Sequence, residues 1–273
     1  MKNETVYNML SQFNLLDYKE EILKNSKPCI RLFPSKRKDE DIPVGGSKLG
    51  GDPDLPAELD IPEYQNNTFS FLAQINCQDI NAYNIENLLP TKGFIYFFYD
   101  CESFVSGIEI TDKNHWKVMY YDGIEENLKR NSISQYLSEE NYFKSALVEG
   151  KLGVSFADLD SYELEDVEWK DYGESYIEFL ECFEREAKST HQLLGQPKVV
   201  QMDVFEEVLP LIQECKNDKN ISREDLILLF QLDTDEVNTN MLWGDEGIIH
   251  FFITREDLQE RNFQDVWLSL QSK

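Results

Sequence analysis

The 273 residues carry 52 Asp and Glu against 26 Lys and Arg, a formal net charge of −26. A surface of that sign repels phosphate backbones and anionic headgroups, so the expectation is no nucleic-acid and no membrane partner; a basic protein partner, or plain solubility, fits better. Hydrophobic residues make up 41% of the chain, with 17 Phe and 13 Tyr, which is enough for a substantial core and excludes a disordered chain.

Residues 4–24 place Val6, Met9, Leu10, Phe13, Leu16 and Leu23 near one face, which predicts a helix. The N-terminal run has no uninterrupted apolar region and no small-residue cleavage site, so no signal peptide is expected. No apolar run approaches bilayer-spanning length. The five cysteines (Cys29, Cys77, Cys101, Cys182, Cys215) are scattered and form no C-x-x-C. They read as reduced thiols of a cytoplasmic protein, not as a disulfide framework or a zinc site.

CIRLF (29–33) predicts a short strand, and the Pro- and Gly-dense stretch 34–62 a long ordered loop. TFSFLAQIN (68–76) and GFIYFFYD (93–100) predict buried strands, with a short helix over 79–89 between them. SFVSGIEI (103–110) and HWKVMYYD (115–122) flank TDKN as a hairpin. A helix is expected near 124–138 and strands near 143–158. Residues 171–188 read as an amphipathic helix with Tyr172, Tyr176, Phe179 and Phe183 on its inner face. After a loop at 191–197 come a helix (203–215), a strand (226–233), a turn (238–247), a buried strand (247–253), a helical turn (257–262) and a last strand (266–271).

Two segments align in the same order. Gly51-Asp52-Pro53, the strand holding Gln74, and Gly93 with its aromatic strand match Gly195-Gln196-Pro197, the strand holding Gln231, and Gly247 with its strand. The expected architecture is therefore α+β, one domain over 1–273. Its mostly antiparallel sheets come from two similar halves, about 28–122 and 190–271, joined by an acidic region, 123–189, with peripheral helices. A cleft between the halves is the natural place for a ligand or partner.

GGDPDLP (50–56), FLAQIN (71–76), LLP-x-x-G-x-x-YFFYD (88–100), HQLLGQP (191–197) with Gln201, and LLFQLD followed by MLWGDEGIIHFFI (241–253) together resemble the YwqG-like family of bacterial proteins, over roughly residues 30–270. Ile61 stands where that family usually has Trp before the Pro. The family is a domain of unknown function, so the resemblance implies fold and duplication and supplies no reaction.

Candidate site residues follow from chemistry. Gln74 and Gln231 sit in apolar strands, and a buried amide must find partners for its oxygen and both N–H bonds. Each either pins the Gly-x-Pro loop of its own half or faces a shared ligand. His191 opens its loop and either anchors it or acts in a site, whereas His250 lies within a buried strand as a packed ring. Trp243 and Asp245 pair an aromatic platform with a carboxylate, suited to a sugar, a base or a cation; the bland alternative is a tight turn with a core Trp. Asp52, Asp54 and Asp60 could meet a divalent ion but read as solvent-facing. LDTDEVNTN (232–240) lacks the Gly and the Glu of an EF-hand loop. No Walker A loop, G-x-G-x-x-G, G-x-S-x-G elbow or H-E-x-x-H occurs, so neither cofactor nor metal is expected.

Between 158 and 186, twelve acids face only Lys170 and Arg185, interleaved with aromatic residues. Such a stretch either binds a basic partner or is one solvated helix face. Two functions stand: a non-catalytic binding protein using its acidic surface or cleft, or an enzyme or small-ligand binder using Trp243, Asp245, Gln74 and Gln231.

Overall fold

The computed structural model describes residues 3–273, and Met1 and Lys2 lie outside them. Strands β1 (Lys27–Lys36), β2 (Lys48–Leu49), β3 (Asp54–Pro56), β4 (Glu63–Tyr64), β5 (Asn67–Thr68), β6 (Ser70–Asn76) and β7 (Phe94–Tyr99) lead the chain. They are followed by β8 (Trp116–Tyr121), β9 (Leu128–Arg130), β10 (Ala146–Ser155), β11 (Gln192–Leu193), β12 (Leu226–Asp233), β13 (Ile248–Thr254) and β14 (Trp267–Gln271). The helices are α1 (Asn3–Gln12), α2 (Lys19–Lys24), α3 (Cys77–Ile80), α4 (Gly173–Ala187), α5 (Val204–Lys216) and α6 (Arg255–Glu260). The class is α+β with mostly antiparallel sheet. No helix among the described residues is long and apolar enough to cross a membrane.

Ten strands form one sheet in the order β14-β13-β12-β11-β1-β10-β2-β6-β7-β8. β1 and β10 pair antiparallel along their whole length at its centre. From that centre two four-strand wings extend, β2-β6-β7-β8 and β11-β12-β13-β14. The wings share local detail. Gln74 pairs with Lys48 and Tyr96, and Gln231 pairs with Gln192 and His250. The ladder is irregular at Leu72 in one wing and at Leu229 in the other, each two residues before its Gln. β10 comes from the stretch expected to be a mere connection, yet it lies at the heart of the sheet.

The sheet curls until its two edges face each other. Trp116 of β8 stacks edge-on against Trp267 of β14 at 5.2 Å, and its indole N–H donates to the Val266 carbonyl. Phe97 of β7 meets Phe230 and Phe251 of the far wing at 4.6 and 5.1 Å, so both wings bury their apolar faces in one interior. A separate small core joins α1, α2 and α4 through Leu10, Ile22, Tyr176, Phe179 and Phe183. Outside β6 and β7, Phe71, Phe94, Tyr96 and Phe98 pack beneath Leu55 and Leu128 of the overlying β3–β9 pair.

Three expected elements differ. The helix over 4–24 breaks at Asn14, which takes φ +58°, a conformation Asn tolerates at helix ends, and restarts as α2. Residues 103–110 form no strand. They run instead along the seam, where the Ser106 carbonyl accepts from the Leu270 N–H and the Gly107 carbonyl accepts from the Trp267 indole. Residues 124–138 form no α-helix either, because β9 in their midst pairs with β3, and that pairing outweighs local preference.

Candidate functional site

Each Gln holds the loop of its own wing. Gln74 Oε1 accepts from the Asp54 N–H at 2.9 Å, and its Nε2 donates to the Gly46 carbonyl and to Asp54 Oδ2, both at 3.0 Å. Gln231 Oε1 accepts from the Lys198 N–H at 2.9 Å, and its Nε2 donates to the Thr190 carbonyl at 2.7 Å. Gly46 and Thr190 correspond, as do Asp54 and Lys198. Gly51 and Gly195 correspond as well, at φ +76° and +90°. A Cβ on Gly51 would lie 2.4 Å from an Asp39 oxygen, and one on Gly195 would lie 2.3 Å from Ser155 Oγ, so both loops need glycine there.

The same backbone position is gripped one step further along. Ser47 Oγ accepts from the Asn76 N–H at 3.0 Å and donates to Asp79 at 2.8 Å. In the other wing His191 Nδ1 accepts from the Asp233 N–H at 3.1 Å. That bond puts the proton on Nε2, which faces Asp235 Oδ2 at 3.6 Å. Asp235 is held below the usual carboxylate range: burial pushes it up, but His191 and Asn238 outweigh that.

The chemistry of the two loops then diverges. In the first wing Lys48 is fully buried and reaches Asp39 at 3.1 Å and Asp54 at 3.7 Å. Arg130, brought in by the β3–β9 pair, meets Asp54 at 2.9 Å and Asp39 at 3.3 Å and donates to the Ile42 carbonyl. Burial drives the Asp54 pKa up, yet the Arg130 hydrogen bond and the Lys48 charge hold it below its ordinary value. The Lys48 ammonium is lowered by burial against the pull of both carboxylates. In the second wing Gln192 stands where Lys48 stands and Lys198 where Asp54 stands. Gln192 donates to the Gln196 carbonyl, and Lys198 turns outward to Glu184 at 2.6 Å. A cavity of about 30 Å³ remains there, lined by Arg31, Asp158, Gln192, Gln196 and Gln231. It has room for about one water.

The residues singled out by chemistry, and Gln201 from the resemblance, do not converge. Gln74 and Gln231 are five strand steps apart, about 24 Å along the sheet, and both point to the loop-covered side, away from the shared interior. His191 is buried at its own loop. Gln201 is exposed, and its backbone N–H donates to Gln271. Trp243 is 1% exposed and packs edge-on against Tyr99 and Phe143 as a core plug, whereas Asp245 points to solvent two residues on. Asp54 is fully buried, not solvent-facing; Asp60 is exposed. Cys77 is a packed thiol whose pKa burial pushes up to about 12. No group of three or more His, Cys, Asp or Glu among the described residues could hold a metal ion.

Replacing Gln74 by Leu is expected to cost about 2–4 kcal/mol, because it strands the Asp54 N–H and the Gly46 carbonyl in a dry site. Gln231→Leu strands the Lys198 N–H and the Thr190 carbonyl and is expected to cost a similar amount. Urea unfolding measures both. A loss under about 0.5 kcal/mol in either would show that water replaces the amide.

What the fold and these loops define is an α+β protein of two pseudo-equivalent wings, each clamping a Gly-x-Pro loop with a buried amide. The sequence matches the family described as Domain of unknown function (DUF1963) over residues 47–272, and the chain belongs to that family. No curated protein matches it.

Proposed function

We propose that the chain is a YwqG-like cytoplasmic binding protein, built from two copies of one wing, that engages a cationic segment of a protein partner through an acidic face rather than performing a reaction. The observation carrying this reading is the surface between 160 and 186. Asp160, Glu165, Asp166, Glu168, Asp171, Glu174, Glu178, Glu181 and Glu186 are all exposed there. Tyr162, Tyr172 and Ile177 are exposed among them, at 57%, 37% and 43%. Carboxylates that steer a cation, interleaved with apolar contacts that retain it, suit a Lys/Arg-rich amphipathic segment. The inner face of α4 is fixed in its core by Tyr176, Phe179 and Phe183, so Glu174, Glu178, Glu181 and Glu186 are presented on an anchored helix.

Glu174, Glu178 and Glu181 lie along one stripe of α4. Reversing all three to Lys is expected to weaken binding of a labelled Lys/Arg-rich amphipathic peptide about tenfold or more, read by fluorescence anisotropy. Raising salt from about 50 to 300 mM should weaken the wild type likewise. Asp245→Ala should change nothing. Peptide affinity indifferent to both salt and charge reversal would sink the reading.

A further inference from the structure

Cations are scarce in this chain, and most of the buried or half-buried ones are paired with carboxylates, although Arg31 and Lys113 are held by backbone carbonyls instead. Lys216 meets Asp257, Arg223 meets Asp203 and Glu163, and Lys48 and Arg130 share Asp39 and Asp54. One concave site gathers four exposed cations, Lys36, Arg37, Lys38 and Lys144. β1 ends at Lys36, which pairs with Ala146 at the start of β10, and Arg37 and Lys38 run on past the end of the strand. The Arg37 N–H donates to the Ser145 carbonyl, and Ser145 Oγ donates back to the Arg37 carbonyl at 2.7 Å, which fixes the two chain segments side by side. Tyr142 and Lys144 approach from the β10 side. Together these residues line a pocket of about 620 Å³.

The charges in that pocket are unbalanced. Lys38 reaches Glu40 at 3.5 Å, with both side chains three-quarters exposed, a pair worth little. Lys144 Nζ donates to the Asn240 side-chain carbonyl at 3.0 Å, a neutral partner that positions the ammonium without cancelling it. Lys36 and Arg37 lie within ion-pair distance of no carboxylate among the described residues. Asp39 also lines the pocket, but its carboxylate is held by Lys48 and Arg130. The floor is thus a neutralised ion cluster, and around it Lys36, Arg37, Lys38 and Lys144 face one further carboxylate, Glu40, on a protein of net charge −26.

We propose that this pocket binds a small molecule carrying two or more phosphate groups, held by Lys36, Arg37 and Lys144. A guanidinium fork and two ammonium groups are the donors that phosphate oxygens take, and the volume suits a metabolite-sized ligand rather than an extended chain. The global negative charge opposes approach from afar, but at about 0.15 M ionic strength that field is screened beyond about 8 Å, while contacts inside the pocket persist.

Isothermal titration calorimetry of the full chain with inorganic tripolyphosphate at about 0.15 M salt tests this. Saturable one-to-one binding is expected, weakened about tenfold by Arg37→Gln or Lys144→Gln and further by the double variant. Lys151→Gln, on an exposed lysine of β10 outside the pocket, should leave affinity unchanged. Unaltered urea unfolding confirms that the exposed substitutions leave the fold intact. Adenosine triphosphate run in parallel separates two sources of the same chemistry: tighter binding than tripolyphosphate assigns a nucleotide, and equal binding assigns the phosphate chain alone. The absence of saturable binding, or binding indifferent to Arg37 and Lys144, overturns the proposal. So does salt-sensitive dimerisation that Lys144→Gln abolishes without any polyphosphate binding, since the patch would then seat the acidic face of a second copy.

Discussion

Asp54→Ala is expected to destabilise the protein by about 3–5 kcal/mol, because it leaves Lys48 and Arg130 facing each other at a dry site with one carboxylate fewer. Asp54 has no exposed surface. Its oxygens accept from the Gly45 N–H, from Gln74 and from Arg130, so one truncation removes the acceptor for three donors. Asp39 remains beside both cations, but it is partly exposed and does not reach the Gly45 and Gln74 donors. Asp54→Asn keeps the size and part of the acceptor capacity while deleting the charge, so its loss should be smaller than that of the alanine variant. Adding Arg130→Met to Asp54→Ala should return about 1–2 kcal/mol of the loss, because it removes a charge that has become unpaired. Urea unfolding near neutral pH measures the cycle. Strictly additive losses would mean that Arg130 and Asp54 are not coupled through the short contact between them.

That cluster was the part of the site hidden in the sequence. Lys48 follows two glycines and a serine, and Arg130 sits in a run of charged and amide residues, so each reads as a solvated cation. Only the β3–β9 pair, which sets Asp54 opposite Arg130, brings them together, and two three-residue strands carry no periodic signal. The same pair is why 124–138 is not the helix its composition suggested. By contrast, Gln74 and Gln231 were conspicuous, because an amide amid buried apolar residues has to be satisfied. The buried strands β6, β7, β12, β13 and β14 were equally legible as apolar runs bounded by turn residues. Trp243 was visible with two roles open, core plug or ligand platform, and the structure gives the core plug. Gly244 and Glu246 both take positive φ and turn the chain so sharply that Trp243 goes inward while Asp245 goes out. No spacing rule separates that turn from a ligand platform. The helical break at Asn14 and the seam at 103–110 were likewise tertiary decisions: exposed Phe104, Ile108 and Ile110 alternate like a strand but face solvent, because the backbone beside them closes the edge of β14.

His250 should make stability fall between about pH 6.5 and pH 4, by up to about 3 kcal/mol at the acid end. The imidazole is fully buried on β13, between Gln231 and Ser269 of the flanking strands. Its Nε2 lies 3.0 Å from the Lys198 carbonyl, so that nitrogen carries the proton and donates, which leaves Nδ1 without a hydrogen-bond partner among the described residues. Burial pushes the pKa down to about 4. The unfolded chain takes up a proton near its ordinary value of about 6.5, and the folded chain takes none until about 4, so acidification in that window favours unfolding. The sign is opposite to that of a His stabilised by a carboxylate. Asp54, depressed in the fold, adds its own loss only below its unfolded value of about 4, so the two groups act in successive windows. Surface carboxylates complicate the raw profile, since protonating them relieves the repulsion of a net charge of −26. His250→Gln separates the contributions. It keeps an N–H donor near the Lys198 carbonyl, cannot titrate, and leaves the surface unchanged. Between about pH 7.5 and pH 5 the wild type should lose about 2 kcal/mol more than this variant in urea unfolding. Parallel profiles for the two proteins would mean that the folded chain admits a proton at His250 as readily as the unfolded chain does, which a ring with no exposed surface and only one engaged nitrogen cannot accommodate without opening the clamp on Lys198.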